Sequence, residues 1–213
     1  HLEKDSSHDF GKDILPKAVH GGELKVFAYP YHGYWMDVGT IRSYWQAHMD
    51  LLSEHPAYNL FDRGWTIHTR TEERPPVKVH RGAVVEDSLI CDGCVIEPGA
   101  VVRCSILSPG VVVQAGSVIE ESILLTDVNV GKGSRIVQSI VDKRVRLGER
   151  VQIGSAEEGE PKIAMVGRNS IIPADARIEA GAMIGTDVIE SDFSDLVIKA
   201  GEYLLTRRLP NEI

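Results

Sequence analysis

The 213-residue chain has only three cysteines, no excess of basic charge, no long apolar run and, over more than half its length, no aromatic ring. Cys91, Cys94 and Cys104 are too few, and odd in number, for a disulfide framework, and they read as reduced, small apolar side chains. Cys91-x-x-Cys94 has the spacing of half a zinc site, but no second pair and no histidine at ligand spacing accompanies it. With 23 Lys and Arg against 31 Asp and Glu, the net charge of -8 argues against a nucleic-acid partner, which requires basic excess. No apolar stretch approaches the roughly 18 residues needed to cross a bilayer, and nothing near His1 resembles a signal peptide. The expectation is therefore a cytoplasmic protein with no membrane partner. The chain opens at His1 among charged residues and reads as a fragment of a longer protein. What it does have, 43% hydrophobic and 25% charged residues, is enough to bury a core and excludes disorder.

Eleven of the 13 aromatic residues lie between Phe10 and Trp65, none between Thr66 and Asp192, and only Phe193 and Tyr203 follow. Two differently built regions are implied: a mixed core with rings, and a ringless stretch from Thr66 to Asp192 whose interior must be filled by Val, Ile and Leu alone. The polar stretch Arg70 to Pro76 ends in Pro75-Pro76, which suits neither a helix nor a central strand. This divides the chain into a first region over 1–62, a linker over 63–78 and a second region over 79–213. In the first, Lys25 to Tyr29 and Tyr34 to Asp37 read as short strands bounded by Gly and Pro turns. Thr40 is placed to cap a helix whose apolar positions Ile41, Tyr44, Trp45, His48, Leu51 and Leu52 recur at helical spacing until Pro56. His48 lies on that apolar stripe and reads as structural.

The second region repeats with a period of six. Ile106, Val112, Val118, Leu124, Val130 and Ile136 form one lane, Val84, Ile90, Ile96 and Val102 a second, and Val166, Ile172, Ile178 and Ile184 a third, with Val141, Leu147 and Ile153 between them. Six is neither the helical nor the strand period, so the chain must turn a corner at each repeat and return an aliphatic inward each time. Three such faces close one triangular coil, and the glycine pairs Gly93/Gly99, Gly110/Gly116 and Gly148/Gly154 recur at the same interval, as corners require. The phase slips between Val102 and Ile106 and between Ile136 and Val141, and Ala156 to Lys162 interrupts it, so loops or bulges are expected there. Coils so stacked make a solenoid with one strand spacing between turns. The pattern resembles the left-handed β-helix of hexapeptide-repeat proteins, a shape shared by acyltransferases and by the tails of sugar nucleotidyltransferases. Activity must therefore be argued from a site.

The motifs SSHDFGKDILP (Ser6 to Pro16) and YWMDVGT (Tyr34 to Thr40), with SYWQAHMDLL and FDRGWTIHT further on, resemble bacterial ADP-glucose pyrophosphorylases (glucose-1-phosphate adenylyltransferases). The likeness covers nearly the whole chain, as the C-terminal half of such an enzyme. It implies a mainly β fold, a left-handed parallel β-helix preceded by the α/β C-terminal remnant of a nucleotidyltransferase domain. On its own, Asp37 before Val-Gly-Thr reads as a turn or capping aspartate. The resemblance makes it the catalytic carboxylate that helps hold Mg²⁺. It likewise implies that Asp9, Phe10 and Trp35 line the glucose 1-phosphate pocket, and that ATP is the second substrate. Without it, Phe10 and Trp35 read as core and Lys12 with Asp13 as a solvated pair. The implied reaction is in-line attack of the sugar phosphate on the α-phosphorus of ATP, with pyrophosphate leaving. The family's glycine-rich phosphate loop is not among these residues, so the chain alone is expected to be inactive. The resemblance further implies a homotetramer supported by the β-helix, and a phosphorylated metabolite effector contacted by Arg168, with Arg207 and Arg208 as further candidates. Two other readings stand beside this one. A non-catalytic regulatory or assembly subunit of the same family is the nearer. A hexapeptide acyltransferase is the more distant, since only His80 falls in the repeats and both N-terminal motifs are left unexplained.

Overall fold

The computed structural model describes residues 9–22, 24–68, 72–156 and 159–209. The backbone groups into two compact units, His1–Tyr34 and Trp35–Ile213. In the first, a single π-helical turn, Phe10–Ile14, runs into the short helix α1, Leu15–His20, with Pro16 in its first turn. The two strands expected at Lys25 to Tyr29 and Tyr34 to Asp37 do not form: among the described residues, neither stretch is a strand of any sheet. A strand is stabilised by hydrogen bonds and side-chain pairs from a neighbouring strand, and neither stretch lies beside one in a sheet; Phe27 and Tyr29 remain 86% and 88% exposed.

The second unit opens with helix α2, Ile41–Asp50, whose start is set as the sequence implies. Thr40 Oγ1 accepts the Ser43 N–H at 3.0 Å while Ser43 Oγ accepts the Thr40 N–H at 3.1 Å, a reciprocal capping box that satisfies two otherwise unpaired donors. The helix ends at Leu51, ahead of Pro56. Its apolar face lies on the solenoid, where buried Trp45 packs with Ile123, Ile140 and Ile163. His48 serves structure: its Nδ1 pairs with the Tyr44 carbonyl at 2.8 Å and its ring packs against that of Tyr44.

From Lys78–Val79 to Tyr203–Leu204 the chain winds as a three-sided parallel β-helix, its faces being parallel sheets of six, seven and seven strands. Register fixes the length of a coil. Lys78 pairs with Val95, Val95 with Val112, Val112 with Asn129 and Asn129 with Arg146, always the interval of 17 that also separates Ser105 from Ser122. A coil is therefore two sides of six and one of five. The fully buried aliphatics follow that rule: Ile96, Val102, Leu107, Val113, Ile119, Leu124, Val130, Ile136 and Val141. This corrects part of the expected lanes. Val84, Ile106, Val112 and Val118 point outward and are half-buried, while their neighbours Val85, Leu107, Val113 and Ile119 face the core. The shortened side recurs in each of these coils, at 102 to 107, 119 to 124 and 136 to 141, so a strict period of six drifts onto the wrong parity after one turn.

Each corner is a ladder of left-handed residues. One runs from Gly93 and Gly110 to Asp127, Arg144, Asn169 and Asp187, and another begins without glycine, at Asp87, Cys104, Glu121 and Gln138, before Gly181 and Gly201 take that corner. Gly148, which its spacing groups with the corner glycines, is not left-handed; it is needed because a Cβ there would stand 2.5 Å from the Ala174 nitrogen of the next coil. On the short side, buried Ser105, Ser122 and Ser139 form a ladder of their own. The Ser122 N–H donates to Ser105 Oγ at 3.1 Å and the Ser139 N–H to Ser122 Oγ at 3.2 Å, while each hydroxyl donates to a carbonyl two residues back. The next coil is longer, with Arg146 pairing with Ile171 rather than with a residue near 163, and the extra length is the interruption the sequence shows around Ala156 to Lys162.

Candidate functional site

The WMDVGT segment forms a tight turn ahead of α2. The Gly39 N–H donates to Asp37 Oδ1 at 3.2 Å, a turn in which the aspartate side chain mimics a backbone carbonyl. The carboxylate is exposed, and Trp35, two residues earlier, is 75% exposed. Both the turn reading and the ligand reading of Asp37 are thus compatible with its geometry. Among the described residues no group of three or more His, Cys, Asp or Glu side chains stands ready for a metal ion. A single accessible carboxylate still fits Mg²⁺, which takes one or two carboxylates and completes its shell with water and substrate phosphate oxygens.

Asp9 and Phe10 belong to the other compact unit. Asp9 caps the first helical turn: its Oδ1 accepts the Lys12 N–H at 2.6 Å, and its own N–H donates to Asp13 Oδ2 at 3.0 Å. Lys12 and Asp13 therefore take part in a local cap through backbone and carboxylate. Phe10 is 65% exposed rather than core. The structure pairs Asp9 with Phe10 and Trp35 with Asp37, each pair within its own unit.

Arg168 sits exposed on a corner of the coil that follows the long insertion. Its carbonyl accepts the Asp187 N–H at 2.8 Å, and the Asp187 carbonyl accepts from the Arg208 guanidinium, so the Arg168 backbone lies one residue away from the Arg208 side chain. Arg144, not anticipated, joins them: its Nε donates to Asn169 Oδ1 at 2.8 Å, and Asn169 Nδ2 donates to Asp187 Oδ1 at 2.7 Å. The signal for Arg144 was its place on the corner ladder, one coil after Asp127, which emerges only once the coil length is known. Arg207 contributes its backbone, donating to buried Asp192 Oδ1 at 2.9 Å, while the Ile189 N–H reaches Oδ2 at 2.9 Å. Burial by itself would raise the Asp192 pKa, but those two N–H groups, the Thr206 side chain and the charge of Arg208 together hold it below the usual carboxylate value. A cleft of about 430 Å³ has the turn after Asp37 (Val38, Gly39, Thr40) on one side and Asp142, Gly167 and Thr186 on the other, so one wall ends a residue before Arg168. Tyr44 lines it too, its pKa raised by burial and by the nearby Asp142 carboxylate.

Residues 1–54 match the family described as Nucleotidyl transferase, and residues 75–167 match that described as GlmU-like, C-terminal hexapeptide. A glucose-1-phosphate adenylyltransferase of Thermomicrobium roseum is 43% identical over 204 residues, covering 91% of this chain and 47% of the relative. The enzyme of that name from Thermotoga maritima is 40% identical over 212 residues (96% and 50%), and that of Fervidobacterium nodosum 36% over 210 (95% and 50%). Along nearly its whole length the chain is similar to glucose-1-phosphate adenylyltransferases. It spans about half the length of the curated relatives it matches. Asp9, Phe10, Trp35, Asp37 and all of α2 fall in the nucleotidyl transferase match, and Arg168 lies one residue beyond the hexapeptide match. Among the described residues, no helix is long and apolar enough to cross a membrane.

Proposed function

We propose that this chain is the carboxy-terminal half of an enzyme that joins ATP and glucose 1-phosphate into ADP-glucose and releases pyrophosphate, supplying activated glucose for glycogen synthesis. The observation that carries the reading is the likeness along 96% of the chain to relatives bearing that enzyme name, with the Asp37 turn inside the nucleotidyl transferase match. Residues 1–62 complete the catalytic domain, 63–78 link it to the solenoid, and 79–213 form a regulatory and assembly domain of a cytoplasmic homotetramer.

In the reaction, Asp37 offers a hard oxygen ligand to Mg²⁺ from a turn already ordered by the Gly39 N–H, so little reorganisation is needed. When bound, Mg²⁺ neutralises charge developing on the phosphates. In the first unit the exposed Phe10 ring suits the apolar face of a sugar, with Asp9 beside it to accept hydrogen bonds from hydroxyls, and in the second unit the exposed Trp35 ring suits the same role. The glycine-rich phosphate loop is supplied by the rest of the enzyme. Arg168, with Arg208 and Arg144 nearby, suits an anionic effector such as a phosphorylated metabolite.

The test is pyrophosphate release by the full-length protein with glucose 1-phosphate and ATP, GTP, UTP or dTTP in turn. Turnover with ATP and none by the 213-residue chain alone is the expected result. A full-length protein that turns over no nucleotide refutes the enzyme reading in favour of a non-catalytic assembly subunit. Replacing Arg168 by Ala in the full-length enzyme weakens activation by a sugar phosphate; an unchanged activation curve removes Arg168 from the effector site.

A further inference from the structure

Helix α2 lies on an outer face of the β-helix that repeats itself. The outward row of that sheet is Ile106, Ile123, Ile140 and Met165, one residue from each successive coil. Coils are spaced about 4.8 Å apart, so an apolar helix meets nearly the same surface again after sliding by one strand spacing. Apolar packing is non-directional and fixes that the helix binds the face, but not at which coil.

One buried directional contact fixes instead how far the helix lies from the corner of that face; it does not choose the coil, because Cys104 and Gln138 hold the same left-handed corner position in the neighbouring coils. Trp45, 6% exposed, donates its Nε1–H to the Glu121 carbonyl at 2.7 Å. Glu121 is a left-handed corner residue, and its N–H is already committed to the Arg103 carbonyl, so the corner is held by the solenoid while its carbonyl is turned to the indole. The Glu121 carboxylate is pinned as well, accepting from Gln138 Nε2 at 2.7 Å. A second side-chain bond from α2 to the solenoid unit, Arg42 to Glu160 at 2.5 Å, joins two exposed side chains and reaches only the inserted loop. Such a surface pair is a weak register device.

The start of α2 transmits its position to Asp37. The capping box makes Thr40 one body with the helix, and the Gly39 N–H bond to Asp37 Oδ1 ties the carboxylate to the residue before the cap. We infer that Trp45 is a positioning residue: its indole hydrogen bond to the Glu121 corner holds α2 at a fixed distance from that corner and thereby sets where the Asp37 carboxylate stands. The inference rests on the role proposed for Asp37. Displacements of about 1 Å are enough to cost a catalytic group about a hundredfold in rate.

The test is Trp45→Phe in the full-length enzyme, which keeps a ring in the same packing but removes the N–H. Expected are a kcat lowered at least about tenfold with the KM for ATP nearly unchanged, and amide exchange at Gly39 and Ser43 about tenfold faster. The thermal midpoint should stay within a few degrees of wild type, as loss of one neutral hydrogen bond implies. Wild-type exchange at Gly39 and Ser43 in the variant overturns the inference, whatever the activity. A fall in kcat matched by a large loss of thermal stability overturns it too, because that is the signature of a purely structural residue. If the wild-type full-length protein makes no ADP-glucose, the proposed function fails while the exchange measurement still decides whether Trp45 holds the start of α2 in place.

Discussion

Leu107 and Ile106 are adjacent, chemically alike and opposite in role, and truncating each in turn tests the coil length read from the strand register. Leu107 is 0% exposed in the core between faces, whereas Ile106 is half-buried on the outside. Leu107→Ala removes three buried carbons, about 2.4 kcal/mol at roughly 0.8 each. The rigid neighbours, Ile90 and Leu124 in the coils on either side, leave a void that adds about 1 to 2 kcal/mol. The sum is about 3.5 to 4.5 kcal/mol, which for a chain of this size lowers the thermal midpoint by about 7 to 18 °C. Ile106→Ala forfeits about half of one side chain's transfer energy and opens no cavity, so about 1 kcal/mol and a shift of about 2 to 4 °C. Urea unfolding followed by circular dichroism, with both variants in the 213-residue chain, gives the comparison. Equal losses, or a larger loss for Ile106→Ala, would mean that the inward lane keeps a strict period of six and that the 6-6-5 coil is wrong.

The segment leading into the solenoid is strapped down. Arg74 makes a two-pronged ion pair with Asp127, at 2.6 and 3.2 Å, and meets Glu72 as well, crossing a corner where a Cβ on Gly110 would collide with its guanidinium. Gly110→Ala should therefore displace the pair and loosen residues 72–77, read as faster amide exchange of Gly93, whose N–H donates to the Pro75 carbonyl at 2.7 Å. Gly99→Ala, equally left-handed but with its nearest neighbour 3.8 Å away, is the control; the same acceleration in both variants would show backbone strain rather than the strap. Asp192 predicts an acid sensitivity. Its folded pKa is depressed, so its ionised form stabilises the fold above the unfolded value of about 3.9, and that contribution is lost as pH falls through the folded pKa. Asp192→Asn should destabilise the chain at neutral pH, with the difference from wild type shrinking below about pH 4; a gap independent of pH refutes the ionised role.

Much of the architecture was readable from residue order alone. A ringless stretch from Thr66 to Asp192, glycines at corner intervals and aliphatics recurring with a period near six admit little but a narrow three-sided coil. The helix start at Thr40 was equally legible, because a capping box is a contact between residues three apart. Local chemistry of this kind needs no partner. The strands expected around Phe27 and Trp35 failed for the converse reason, since a ladder requires a neighbour that propensity does not supply. The inward parity at Leu107 and Ile119 was out of reach as well. Outward Ile106 and Val118 are just as aliphatic, and only the pairing of coil on coil reveals that one side in three is a residue short. The motif around Asp37 could be found by likeness to a family, whereas its attachment through Trp45 to the distant Glu121 carbonyl could not. The meeting of Arg168 with Arg208 across Asp187 belongs to that same class. Pattern along a chain sets which surfaces are apolar and where it turns. Which distant carbonyl an indole meets is decided only when the coils are stacked, because that contact depends on how many residues each turn consumes.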